Sequence, residues 1–136
     1  MAKSPKSIPH RRTRSDHAAE TAEDYVEAVA DIIEAEQTCR VADLARRFGV
    51  SHVTVSKIVA RLVSEGLLNT APYQPIQLTE KGKKLAEVTR KRHEIVFAFL
   101  IALGVDEMTA TIDSEGIEHH VSKKTLDAMV EFMKQK

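Results

Sequence analysis

The sequence predicts a mainly α-helical chain. A winged helix-turn-helix DNA-binding domain is joined by a long helix to an all-helical dimerisation domain. Three observations carry this. Residues 41–79 read as a short helix, a glycine turn, a second helix with a polar cap, and two short strands. Residues 80–103 form one long helical run, at 1.5 Å per residue about 36 Å, which exceeds what a small domain can cover. The C-terminal part carries apolar stripes, but about 40 residues of helix make a poor core alone.

Composition sets the bounds. The 136 residues hold 43% hydrophobic and 29% charged side chains, close to ordinary globular proteins. No apolar run approaches the ~18 residues of a membrane span, and the basic N-terminus lacks the apolar stretch of a secretory signal. A cytoplasmic chain without membrane contact is therefore expected. The single cysteine, Cys39, excludes an internal disulfide and a thiolate metal cluster. With no Trp and 4% aromatic residues, stacking platforms for single-stranded nucleic acid are not expected.

Residues 1–19 contain two prolines and clustered bases, which predicts a disordered basic arm. A helix follows over 21–36, where Thr21 and Asp24 resemble a capping box and Tyr25, Val29, Ile32 and Ile33 recur at helical spacing. Residues 41–48 form the next helix, stopped by Gly49. Ser51 is a good N-cap for a helix over 52–65, whose Val55, Ile58, Val59, Leu62 and Val63 make one apolar stripe. Gly66 ends it. Strands are expected at Leu67–Thr70 and Ile76–Thr79, around Pro72-Tyr73-Gln74-Pro75. The long helix of 80–103 is basic in its first half and apolar in its second, and Gly104 stops it. Helices over 106–120 and 122–135 complete the chain, with Asp106 and Ser122 as N-caps and an apolar stripe of Leu126, Met129, Val130 and Met133. These stripes call for a homodimer. The expected domains are residues 1–19 (arm), 20–87 (DNA binding) and 88–136 (metal binding and dimerisation).

Charge is uneven beneath a formal net charge of zero. Residues 15–36 hold eight acids and no Lys or Arg, whereas residues 37–92 hold eleven bases against four acids. A basic middle of this kind suits a phosphate backbone, although a merely solvated surface gives the same count. In a helix-turn-helix the second helix enters the major groove with its N-terminal residues towards base edges. Here those residues are Ser51, His52, Thr54, Ser56 and Lys57, with Val53 able to touch a thymine methyl. Arg46, Arg47 and Arg61 are placed to reach phosphates, and Lys81, Lys83 and Lys84 lie near the wing.

A second cluster is Glu115-Gly116-Ile117-Glu118-His119-His120. On a helix, Glu115, Glu118 and His119 share one side, two carboxylates and an imidazole that make half of a metal site. Asp24 and Glu27 repeat the i, i+3 device, and His93 sits where the long helix turns from basic to apolar. Four carboxylates and two histidines suffice for one six-coordinate ion or two bridged ions. Surface acids at this spacing are more often merely solvated, and His120, which points away, reads as structural.

Taken together, Glu23-Asp24-Tyr25-Val26-Glu27, the helix-turn-helix, Arg92-His93-Glu94 and the EGIEHH run resemble the manganese transport regulators of the diphtheria toxin repressor family. The resemblance covers residue 22 to about 133. It implies a homodimeric repressor with a metal bound by Asp24, Glu27, His93, Glu115, Glu118 and His119, one or two Mn²⁺ ions per subunit. Iron-responsive relatives carry a cysteine where this chain has Glu115 and a methionine where it has Asp24. Oxygen donors there suit Mn²⁺, with Fe²⁺ as the alternative. Zn²⁺ is expected to bind with the wrong coordination number.

The expected partners are a palindromic double-stranded operator and a second copy of the chain, with no small-molecule substrate. Metal would fix the two recognition helices of a dimer about 34 Å apart, and activation should fall below roughly pH 6, where the histidines protonate. Repression of manganese uptake genes follows from the resemblance. The rival classes are a small two-metal hydrolase, which would need an open substrate pocket, and a metal-independent winged-helix module.

Overall fold

The computed structural model describes residues 9–135, with side chains from His17 onward. The chain divides into two compact units, meeting at Ala86 and Glu87. The helical content and the small sheet match the predicted fold class.

The first unit begins with α1 (Pro9–Glu36), followed by α2 (Val41–Phe48), α3 (His52–Ser64), β1 (Leu68–Asn69) and β2 (Gln77–Leu78). Residues 9–19, expected as disordered arm, belong instead to α1; residues 1–8 lie outside the described residues. The reason is cooperative. Once packing fixes the later turns, adding residues at the N-terminus costs little, and Pro9 suits a first helical position. Thr21 is consequently no N-cap: its hydroxyl donates to the carbonyl of His17 at 2.8 Å, one turn back inside the helix.

The face of α1 that meets the core is the one periodicity indicated. Val26 and Val29 have no exposed surface, and Tyr25, Ala28 and Ile32 are buried beside them. They join Leu44, Val55, Val59, Leu62, Leu67, Leu68 and Ile76 in one apolar cluster. Each fully buried Val or Leu contributes about 1.5–3 kcal/mol relative to exposure. Tyr25 stacks on Phe48 with ring centroids 4.5 Å apart, which ties α1 to α2.

The turn between α2 and α3 is built as its residues require. Gly49 takes the left-handed conformation at φ 65°, and Ser51 Oγ accepts from the Thr54 amide at 3.1 Å to cap α3. The two strands pair antiparallel, Leu68 opposite Leu78 and Asn69 opposite Gln77. They are shorter than expected: at the start of the second, Ile76 N donates to Cys39 O at 2.8 Å instead of joining the ladder. The loop between them carries Tyr73, almost wholly exposed, with a φ of 63°. Thr79 joins this wing to the next helix: its Oγ1 donates to Gly66 O at 2.6 Å and accepts from Gly82 N at 3.0 Å.

That helix, α4 (Glu80–Ala102), contains the boundary between the units. The second unit continues with α5 (Glu107–Ile117) and α6 (Lys123–Lys134). Asp106 and Ser122 cap them as predicted, each side chain accepting an amide three residues on. The helix expected to run to residue 120 stops at Ile117, and residues 118–120 form a turn closed by His120 N on Ile117 O at 3.0 Å. Phe99 and Phe132 meet edge to face at 5.7 Å. No residue of α6 is fully buried, so its apolar stripe is only half covered within one chain. Among the described residues, no helix is long and apolar enough to cross a membrane.

Candidate metal centre and nucleic-acid interface

Within the second unit, the predicted ligands separate by environment. Glu118 is buried, at 3% exposure, whereas Glu115 is exposed and His119 half-buried. The i, i+3, i+4 spacing makes the three equivalent only on a continuous helix, and the helix ends between Glu115 and Glu118. Glu118 sits at the C-cap of α5, and His119 lies in the turn beyond it.

His93, on α4, is brought to this turn. Its Nδ1 lies 3.0 Å from Glu118 Oε1. With the carboxylate ionised, Nδ1–H donates to it, which leaves Nε2 as the ring nitrogen that could take a metal ion. A carboxylate behind a histidine is the device that fixes ring orientation and raises ligand basicity. Arg92, the adjacent residue, donates to the Glu118 backbone carbonyl at 3.2 Å and so fixes the turn from the other side. Nothing in a linear sequence shows that the Arg92 guanidinium reaches a carbonyl 26 residues away.

In the first unit, Asp24 and Glu27 lie one turn apart on α1, both half-buried beside the core residues Tyr25, Val26 and Ala28. The donors there are oxygens, and those of the second unit are oxygens and nitrogens; neither group includes a thiolate. A partly desolvated carboxylate already paired with an imidazole fits a divalent cation, which supplies the charge that otherwise makes burial of Glu118 costly. Cys39 is no ligand candidate: it is buried in the first unit's core, and burial with nearby Asp43 and Glu36 pushes its thiol up to about 11.

The DNA-facing residues expected from the sequence are accessible. Ser51, His52, Val53, Thr54, Ser56 and Lys57 are all exposed, Val53 at 65%. Ser51 and Thr54 hydroxyls are 3.0 Å apart within the cap, which holds the start of α3 rigid. Arg46 pairs with Asp43, and Arg47 reaches Asp31 at 3.3 Å; both stay exposed. Arg61 differs. It donates to the Ala18 carbonyl at 3.1 Å and pairs with Glu65 at 3.5 Å, so a phosphate contact requires it to leave protein partners.

Comparison with known proteins places this geometry. Residues 17–76 match the model of the iron dependent repressor N-terminal DNA binding domain, and residues 79–135 that of the metal binding and dimerisation domain. The transcriptional regulator MntR of Salmonella typhimurium is 45% identical over 92% of this chain and 80% of its own length. The chain belongs to the iron-dependent, or diphtheria toxin, repressor family. The HTH-type transcriptional regulator MntR of Bacillus subtilis is 39% identical over 77% of this chain and 74% of its own length. The solved structure of the manganese regulator SloR superposes with a TM-score of 0.72 at 25% identity. It matches 85% of this chain, which spans only about half (54%) of the SloR chain. Membership accounts for the order of the two units, the wing and the helical second unit.

Proposed function

We propose that this repressor-family chain is a homodimeric, Mn²⁺-responsive DNA-binding regulator in which the metal is the co-repressor. The observation that carries the metal reading is the buried Glu118 carboxylate against His93 Nδ1. Asp24, Glu27, His93, Glu115, Glu118 and His119 would hold the ion, one or two per subunit. When bound, it supplies positive charge and a fixed coordination geometry, not redox chemistry. Two features support manganese over iron: the oxygen donors at 24 and 115, and similarity to the manganese regulator SloR. The family model carries iron in its name, so Fe²⁺ stays the second reading.

The chain's own residues do the rest. Val53, Ser56 and Lys57 present the readout face of α3, while Ser51 and Thr54 hold its first turn. Arg46 and Arg47 meet phosphates. Without metal, the acids among the six ligands repel one another, and the dimer's recognition helices have no fixed spacing. Metal favours the arrangement whose helices match successive major grooves about 34 Å apart, and strengthens DNA binding by its differential affinity for that state. The DNA-binding domain is assigned to residues 20–87 and the dimerisation domain to 88–136. The protein acts in the cytoplasm, has no enzymatic activity and represses manganese uptake.

The test is selection of sites from random duplex DNA, with affinity measured at fixed salt in chelator, Mn²⁺, Fe²⁺ and Zn²⁺. A palindromic site bound tightly with Mn²⁺ alone supports the reading. Tight binding with Fe²⁺ alone moves it to iron, and equal binding in chelator removes the metal from the mechanism. Phosphodiester hydrolysis with Mn²⁺ would overturn the non-enzyme assignment.

A further inference from the structure

One helical turn before His93, α4 carries a buried polar group. Thr89 has no exposed surface, and its Oγ1 is buried without a hydrogen-bond partner among the described residues. Threonines inside helices ordinarily return the hydroxyl to the carbonyl four residues back. Two others in this chain do so, Thr21 to His17 and Thr111 to Glu107, both at 2.8 Å. Thr89 does not. It stands one helical turn before His93, on the face of α4 that also carries the buried Val96. In that run of i, i+4 and i+7 the two polar members are neighbours, and one of them is a proposed ligand. A hydroxyl desolvated without a partner is a cost that a valine of the same shape would not bear.

We propose that Thr89 is a positioning residue for the metal centre, its hydroxyl donating a hydrogen bond to an oxygen ligand of the ion that His93 binds. This rests on the metal reading of the preceding subsection. A hard divalent cation keeps oxygen ligands that need outer partners, and losing one such partner typically weakens binding 10- to 100-fold. Thr89 thus sets affinity without touching the ion.

The test uses the full chain and Mn²⁺ alone, with free ion counted by electron paramagnetic resonance and the metal-free protein melted in parallel. Thr89→Val should lower Mn²⁺ affinity about tenfold while the metal-free protein melts no lower than wild type. Thr89→Ser, which keeps the hydroxyl, should bind within about twofold of wild type; if Val disrupts folding, Thr89→Ala carries the comparison. Wild-type affinity in Thr89→Val, or an equal loss in Thr89→Ser, overturns the proposal. His93→Ala separates the two levels. If it binds Mn²⁺ like wild type, the metal reading itself fails; if it loses the ion while Thr89→Val keeps it, only the role of Thr89 fails.

Discussion

Gly82→Ala decides whether the junction of wing and long helix is as tight as the structure makes it. Gly82 lies in the first turn of α4. Helix propensity alone says the change should help, by about 0.5–1 kcal/mol. Packing says the reverse. A Cβ at position 82 would fall 2.1 Å from the Leu67 carbonyl oxygen, 3.1 Å from its carbon and 3.2 Å from Leu78 Cδ2. The first contact is more than an ångström inside van der Waals distance, and the atom it meets is backbone. That carbonyl also accepts from Thr79 N and Thr79 Oγ1, both at 3.1 Å, so moving it loosens the link between β1 and α4. Overpacking of this kind costs about 1–3 kcal/mol, occasionally more. The steric cost exceeds the propensity gain, for a net loss of about 1 kcal/mol and a fall in melting temperature on the order of 3–6 °C. Thermal melts followed by circular dichroism, with a urea series for the free energy, measure this. A variant that melts at or above wild type would refute the argument and mean that β1 and α4 are free to part.

Cys39 should resist thiol reagents in the folded protein, since a thiol at about 11 is scarcely ionised at neutral pH and its side chain is buried; labelling as fast as in urea would contradict its place in the core. Its raised value also has a stability sign: the contribution is complete below about 9, the ordinary value, and is lost as pH rises from there through about 11, visible as a falling urea midpoint. Ser51→Ala removes the α3 cap and should cost about 1 kcal/mol, with Ser51→Asp restoring it; equal stability of the Ala variant would mean the cap hydrogen bond contributes nothing. Arg46→Ala should weaken DNA binding similarly on all sequences and reduce the salt slope by about one unit, whereas a change confined to one base position would make Arg46 a base reader.

What the sequence disclosed was mostly punctuation. Gly49, Gly66 and Gly104 stand where helices end, and Ser51, Asp106 and Ser122 each cap the helix they were expected to cap. Such signals are local, so they survive without tertiary information. The start of α1 was misplaced because composition around Pro9 argues for a loose arm, whereas helix extension depends on turns packed further along. The site was legible as residue types and spacing, and less so as environment. That Glu118 is buried and Glu115 exposed, that Arg92 grips the Glu118 carbonyl, and that Thr89 is buried without a partner among the described residues all depend on how α4 and the end of α5 pack.

The central claim is that metal held by His93 and Glu118 controls DNA affinity. The most direct measurement is fluorescence anisotropy of the selected operator at fixed salt, in chelator and in Mn²⁺, for wild type, His93→Ala and Glu118→Gln. The account predicts that Mn²⁺ tightens binding by wild type many-fold, and that both variants bind as weakly with Mn²⁺ as wild type does in chelator. If either variant responds to Mn²⁺ like wild type, the paired carboxylate and imidazole are not the switch.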